Sequence, residues 1–214
     1  MMRPPLRGLY AITDNTLIAP SALLEVVEKV LIGGATVIQY RDKTTDGTRR
    51  EQEAKALHEL CQDHNAPLII NDDIELATMV GAEGVHLGKH DIKYQKTREL
   101  MGEGAIIGVS CYDQLNRARK AESVGADYVA FGSFFPSKTK PNTVRATTDL
   151  LREARQLISI PIVAIGGITP ENGKMLLDSG ADLLAVIQGL FGEPNPEDAA
   201  KRYAVLFEYM SPRG

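Results

Sequence analysis

A tripeptide that returns four times narrows the fold of this sequence more than any other feature. Gly34-Ala35-Thr36, Gly81-Ala82-Glu83, Gly125-Ala126-Asp127 and Gly180-Ala181-Asp182 each follow a stretch of helical periodicity and lead into a short apolar run. Glycine ends helices in the left-handed conformation, so each copy marks a helix-to-strand junction. The copies recur every ~45 to 55 residues, about two βα units. Read on that frame, the pattern predicts strands at residues 8–12, 36–40, 68–71, 84–87, 106–110, 128–131, 162–165 and 183–187. Helical patterns fall between them at 21–32, 49–64, 74–80, 93–101, 114–124, 148–158, 170–179 and 196–209. Strict alternation gives a parallel sheet, and eight units close it. The expectation is an α/β fold, a (β/α)8 TIM barrel forming a single domain over residues 1–214. An open doubly wound sheet is the alternative, but no glycine-rich dinucleotide fingerprint follows the first strand.

Composition excludes several classes. With 43% apolar and 24% charged residues the chain reads as globular and soluble, and no apolar run approaches the ~18 residues of a membrane span. The start, Met1-Met2-Arg3-Pro4-Pro5, has no apolar stretch of the secretory kind. Cys61 and Cys111 match no metal or redox spacing and read as buried thiols, which points to a reducing, cytoplasmic setting. A net charge of −4 gives no general attraction to nucleic acid or an anionic membrane, so an anionic ligand needs a local cluster of cations. No nucleic-acid or membrane partner is indicated, and a homo-oligomer is left open.

A barrel builds its active site from the residues just after each strand, and here those positions are polar. Gln39, Arg41 and Lys43 alternate at the end of the second strand, so an extended chain projects them to one side. The planar fork of Arg with the mobile charge of Lys suits a phosphate or diphosphate; taken alone, the segment also fits a solvated strand end. Asp72 and Asp91 follow adjacent strands and can face each other across the mouth. Two carboxylates beside a diphosphate suit Mg2+, which takes few protein oxygens, although Asp also caps helices; the metal reading is favoured for these two and the cap for Asp73. Gly166-Gly167 after the seventh strand and Gln188-Gly189 after the eighth match a backbone phosphate site.

The remaining candidates are weaker. His86 could serve as a base or ligand, but a lone strand-end His without a ligand-spaced partner is most often packed structurally. His58 and His64 read as surface residues, and His90 lies in a loop. The helical cations Arg117, Arg119, Lys120, Arg152 and Arg155 read as solvated faces. No Ser/His/Asp or Cys/His nucleophile arrangement can be assembled. The long irregular segment 132–146, with its lysines, reads as a functional loop over the site.

Laid out in order, the strand ends resemble those of the thiamine phosphate synthase family from about Gly8 to Phe191. The resemblance is carried by Gln39-x-Arg41-x-Lys43, Asn71-Asp72, His86-x-Gly88-x-x-Asp91, Gly108-x-Ser110, Phe135-Pro136-x-x-Thr139-Lys140 and Ile165-Gly166-Gly167-Ile168-Thr169. Any one motif is weak, whereas six in order at consecutive strand ends are specific. The resemblance implies a transferase that joins an aminomethylpyrimidine methyl diphosphate to a thiazole phosphate, or its carboxylate, and releases diphosphate. It implies that Gln39, Tyr40, Arg41, Asp42, Lys43, Asn71 and Lys140 hold the pyrimidine diphosphate, with Asp72 and Asp91 on Mg2+. Ser110 would lie near the pyrimidine, and Ser137, Lys138, Thr139, Gly167, Ile187 and Gln188 would line the thiazole phosphate site. Arg41, Lys43, Lys140 and Ser110 are the expected catalytic groups, and the absence of a nucleophile agrees with a dissociative substitution.

Three positions depart from the family's usual pattern. Lys89 replaces a common Gln, Ser137 replaces Thr but keeps a hydroxyl, and Gln188 replaces a common Ser. Two related readings compete. A thiazole tautomerase-like enzyme would lack the full diphosphate clamp and use a His after the fifth strand, where this chain has Ser110-Cys111-Tyr112. A non-catalytic regulatory paralogue would not need Asp72, Asp91 and Lys140.

Overall fold

The computed structural model describes residues 6–88, 94–136 and 145–208. Both faces of the sheet are covered, one by helices and one by the barrel's own interior, which is why the strands read as apolar runs without alternation. Strands β1 (Gly8–Ile12), β2 (Ala35–Tyr40), β3 (Leu68–Asn71), β4 (Gly84–Leu87), β5 (Ile106–Tyr112), β6 (Tyr128–Gly132), β7 (Ile162–Ile165) and β8 (Leu183–Val186) pair in sequence order. All pairings are parallel, and β8 returns to β1 to close the barrel. Around it lie α1 (Leu23–Ile32), α2 (Gly47–Asp63), α3 (Ile74–Val80), α4 (Tyr94–Met101), α5 (Leu115–Ser123), α6 (Thr148–Leu157), α7 (Pro170–Asp178), α8 (Gln188–Phe191) and α9 (Pro196–Glu208). This is the (β/α)8 barrel that the pattern predicts.

Local differences have identifiable causes. The helix expected from residue 21 splits, because Pro20 opens a separate 3-10 turn, Pro20–Ala22, before α1. β5 runs to Tyr112, where a register shift and a positive φ of 58° bend the strand end. β8 stops at Val186, since Ile187 turns to φ −116°, ψ −80° as the N-cap of the unexpected short helix α8.

The recurring glycines behave as their context requires. Gly34, Gly81, Gly125 and Gly180 take φ values of 103°, 73°, 92° and 119°. The third residue of each copy then ties its strand to the one before. Glu83, Asp127 and Asp182 accept the backbone N–H groups of Leu68, Ile107 and Ile162 at 2.8, 2.8 and 2.9 Å, while Thr36 donates to the Arg7 carbonyl at 2.8 Å. Arg98 of α4 pairs with Asp127 at 2.7 Å and Arg155 of α6 with Asp182 at 3.0 Å, and His58 of α2 stands 3.6 Å from Glu83. Arg155 and His58 are thus structural groups at the barrel's base, not members of a solvated face. A carboxylate can satisfy an orphan strand N–H and a helix cation together, which the sequence pattern of surface charges does not reveal.

Two apolar regions divide the work. The shell between sheet and helices includes Leu9, Ile38, Leu57, Leu68 and Ile70, none more than 1% exposed. Burying a Leu or Ile stabilises by about 1.5–3 kcal/mol, so this shell carries most of the folding free energy. The barrel interior is a smaller cluster around Tyr10, Val37, Ile69, Ile106, Tyr128 and Leu183, and it admits polar groups toward its C-terminal end. Cys61 and Cys111 are buried free thiols, as expected from their isolation.

Candidate active site

The alternation of β2 sets the first half of the site. Gln39 and Arg41 face the barrel mouth and line a cavity of about 170 Å3, with Asn71, His86, Ser110 and Ile187 also on its wall. Tyr40 and Asp42 turn the other way. The Tyr40 hydroxyl donates to Glu53 of α2 at 2.6 Å, and Asp42 pairs with Arg49 at 2.7 Å. Burial, then the Glu53 hydrogen bond, pushes the Tyr40 phenol up. Burial also acts to raise Asp42, but hydrogen bonds from Thr44 and the Arg49 guanidinium outweigh it and hold that carboxyl below its ordinary value. The structure therefore does not bring the side chains of Tyr40 and Asp42 to the cavity. Period-two alternation sends neighbours of Gln39 and Arg41 outward. Lys43 lies beyond the strand and is exposed.

Arg41 is held by the end of β1. Its Nη1 donates to Asp14 Oδ2 at 3.2 Å, and its backbone N–H donates to Thr13 Oγ1 at 2.9 Å. Asp14, 4% exposed, is itself fixed by Thr16, whose N–H and hydroxyl donate to Oδ1 at 2.9 and 2.6 Å. One edge of the guanidinium is thus occupied, and its remaining N–H donors stay available to an anion at the mouth. Thr13 and Asp14 escaped the sequence reading, although a polar pair directly after an apolar strand is the signal applied to the other strands.

Across the mouth, β3 and β4 carry the acidic corner. Asp72 sits at φ 63°, exposed at the rim, with Gly88 N–H donating to Oδ1 at 3.0 Å and Asn71 Nδ2 donating to Oδ2 at 2.8 Å. Two donors fix the carboxylate while leaving lone pairs on both oxygens, a donor set that fits a hard, oxygen-seeking cation. Asp73 caps α3 by accepting the Leu76 N–H at 2.9 Å, as expected. Among the described residues no group of three metal-ligating side chains stands together. Lys89, His90 and Asp91 lie outside the described residues.

Arg117 of α5 is not a solvated helical charge. Its Nε donates to the Ser110 carbonyl at 2.7 Å and its Nη2 to the Gly88 carbonyl at 3.0 Å, which ties the ends of β4 and β5 together. A long side chain at the N-terminal turn of α5 can reach back over the βα loop, which a helical periodicity count does not register.

The β6–β7 side is shaped by close backbone approach. Gly166 and Gly167 take φ values of 108° and 60°, and a Cβ on Gly166 would stand 2.0 Å from Ser133 Oγ. The chain after β6 therefore lies directly on the turn after β7, with Phe135 N–H donating to the Gly166 carbonyl at 3.0 Å. Gly166 lines the cavity; Gly167 lies behind it against Phe135 and Pro136. Ile187 contributes an apolar wall. The Gln188 side chain is exposed and folds toward Gly192, where a Cβ would meet its Nε2 at 2.0 Å, so its carboxamide does not enter the cavity. Ser137, Lys138, Thr139 and Lys140 lie outside the described residues, as does the rest of the stretch 137–144 in the functional loop expected over 132–146.

The deepest polar groups were the least visible in the sequence. Tyr10 of β1 and Tyr128 of β6 point inward, and with Gln39, His86 and Ser110 they form a hydrogen-bonded line across the cavity floor. His86 is a packed residue, as expected, but one in contact with Ser110. A tyrosine at an inward strand position is the available signal, because a buried phenol must find a partner. Above this floor, Ile12, Val163, Ile165 and Ala185 give the cavity apolar sides suited to a flat ring.

Fold and site together define a (β/α)8-barrel enzyme with a ring-sized, apolar-walled cavity and an arginine at its C-terminal mouth. The comparisons make this specific: the family model described as thiamine monophosphate synthase matches residues 9–190. The thiamine-phosphate synthase of Nitrosococcus oceani is 52% identical, covering 96% of this chain and 95% of its own length. That of Thioalkalivibrio sulfidiphilus is 49% identical over 95% of this chain and 96% of its own. The solved thiamine phosphate pyrophosphorylase of Pyrococcus furiosus superposes with a TM-score of 0.84 at 34% identity, covering 94% and 95% of the two chains. The chain belongs to the thiamine monophosphate synthase family.

Proposed function

We propose that this chain is a thiamine phosphate synthase, a transferase that condenses 4-amino-2-methyl-5-(diphosphooxymethyl)pyrimidine with 4-methyl-5-(2-phosphoethyl)thiazole, or its 2-carboxylate. Near full-length similarity to curated enzymes of that name carries the reading, and the cavity supports it in detail. Gln39 and Ser110 meet the pyrimidine, whose ring rests against the apolar walls. Arg41, Lys43, Asn71 and Lys140 hold its diphosphate. Ser137, Lys138, Thr139, Gly167, Ile187 and Gln188 form the thiazole phosphate subsite, with Gln188 acting through its backbone N–H because its side chain turns toward Gly192.

In the reaction the bond from the pyrimidine methylene carbon to the diphosphate oxygen breaks, and its electron pair leaves with diphosphate. The thiazole nitrogen lone pair forms the new C–N bond. No protein nucleophile is required. The residues supply position and charge, and Arg41, fixed by Asp14, presents preorganised donors to the oxygen on which charge develops. Asp72 and Asp91 would hold Mg2+, which neutralises charge on a leaving diphosphate when bound. Two buried free thiols support a cytoplasmic setting, and among the described residues no helix is long and apolar enough to cross a membrane.

The test is direct. Purified protein given both phosphorylated substrates and Mg2+ should yield thiamine phosphate and diphosphate in equal amounts. No product at substrate concentrations that saturate binding would end the synthase reading, and rearrangement of a thiazole carboxylate phosphate alone would replace it with the tautomerase one.

A further inference from the structure

The line of hydrogen bonds across the cavity floor links residues far apart in sequence, and its sense follows from the Gln39 end, where the carboxamide donates. Gln39 Nε2 donates to Tyr10 Oη at 2.6 Å, Tyr10 Oη is 2.8 Å from Tyr128 Oη, Tyr128 Oη is 2.9 Å from His86 Nδ1, and His86 Nε2 is 2.8 Å from Ser110 Oγ. The packing around it is equally specific. Tyr10 meets Tyr128 edge-on at 5.9 Å and 82°, and the His86 ring stacks on Tyr128 at 5.6 Å and 21°. Gly108 makes the room, since a Cβ there would fall 1.9 Å from Tyr128 Cζ. That accounts for glycine in Gly108-x-Ser110.

Burial pushes both phenols up, so each keeps a single hydrogen to give. Tyr10 accepts from Gln39 and therefore gives its hydrogen to Tyr128. Tyr128 gives its own to Nδ1 of His86, a neutral imidazole then carries its hydrogen on Nε2, and Ser110 accepts it. The Ser110 hydrogen is left for the cavity. Turning over the Gln39 carboxamide alone would set Oε1 against the Tyr10 oxygen with no hydrogen between them until all the links reversed. The two ends of the line are thus tied: an acceptor offered by Gln39 goes with a donor offered by Ser110.

We propose that Tyr10, Tyr128 and His86 are positioning residues that couple the Gln39 carboxamide to the Ser110 hydroxyl, so that neither turns over alone and the site accepts an aminopyrimidine and rejects its oxo counterpart. The inference rests on the synthase reading. With one amide hydrogen on Tyr10, Gln39 keeps Oε1 and its other N–H as a paired edge. That edge matches an exocyclic amino group beside a ring nitrogen, the pairing an amide makes with adenine. An oxo-pyrimidine presents a carbonyl beside a ring N–H and needs the carboxamide reversed. Specificity of this kind is steep, because the wrong ligand leaves buried polar groups without partners.

The experiment compares kcat/KM for the 4-amino pyrimidine diphosphate and its 4-oxo analogue in the wild-type chain, in Tyr128→Phe and in Tyr10→Phe. The wild-type chain should prefer the amino form by about a thousandfold or more. Either variant should lower that ratio by about tenfold or more, with KM for the thiazole phosphate unchanged. Tyr94→Phe removes a hydroxyl bonded to the Gly125 carbonyl at the opposite end of the barrel and should leave the ratio as it was. An undiminished ratio in both Tyr variants, whatever their stability or absolute rate, overturns the relay. A wild-type chain that makes no product from the amino substrate strikes the synthase reading itself.

Discussion

The two ends of the barrel solve opposite problems with the same residue types. At the N-terminal end, charges are matched: Asp127 and Asp182 each accept a strand N–H and pair with a helix arginine. At the C-terminal end, charges are steadied but left usable: Arg41 gives one donor to Asp14, and Asp72 is held by two donors with lone pairs to spare. The first arrangement suits stability and the second suits ligand binding, which is the division expected of a barrel whose site lies beyond the carboxyl ends of its strands.

That contrast can be broken experimentally. Arg41→Ala should show the largest effect on activity, a loss of about 10²–10³ in kcat read by steady-state diphosphate release, beside a smaller loss of stability because the buried Asp14 keeps its Thr16 donors but loses its cation. A matched fall in stability would place Arg41 with the structural pairs. Asp127→Ala should do the reverse. It strands the Ile107 N–H and takes from Arg98 its carboxylate partner, leaving it bonds to the Ala105 carbonyl and the Tyr94 hydroxyl, and should cost about 1–3 kcal/mol by denaturant titration while the folded protein turns over normally. Arg117→Ala tests the boundary between the two behaviours. Loss of its link between β4 and β5 should lower turnover by about fivefold to tenfold with about 1 kcal/mol of stability, and an effect on stability alone would count it as structural. The smallest effect is expected at the thiols. Burial pushes Cys61 and Cys111 up to about 12, so the thiolate is scarce at pH 8, and iodoacetamide should leave activity intact with both residues unmodified by mass spectrometry. Rapid labelling of the folded protein would contradict that burial.

Much of this architecture was legible because it is local. The Gly-Ala-x copies mark junctions that period and propensity then extend into strands, and the ends fall within a few residues of those expected. The errors were also local in cause: Pro20 starts its own turn, and Ile187 leaves the strand early to begin α8. For the site, Gln39, Arg41, Asn71, Ser110 and Ile187 do line one cavity, because residues after successive strands must converge on a closed barrel. Tyr10 and Tyr128 were missed since their partnership spans 118 residues and each sits in an ordinary apolar strand. Arg117 was misread because a helical wheel gives the side of a side chain but not how far it reaches. Gln188 reads as a ligand from its place after β8, yet the turn into α8 aims its side chain away.

The central claim is that one barrel mouth holds two anion subsites, with Arg41 belonging to the diphosphate that leaves. Calorimetric titration of Arg41→Ala with each substrate tests this most directly. Affinity for the pyrimidine diphosphate should fall by about tenfold or more while that for the thiazole phosphate stays within about twofold of the wild-type chain. An equal loss for both ligands would contradict the division.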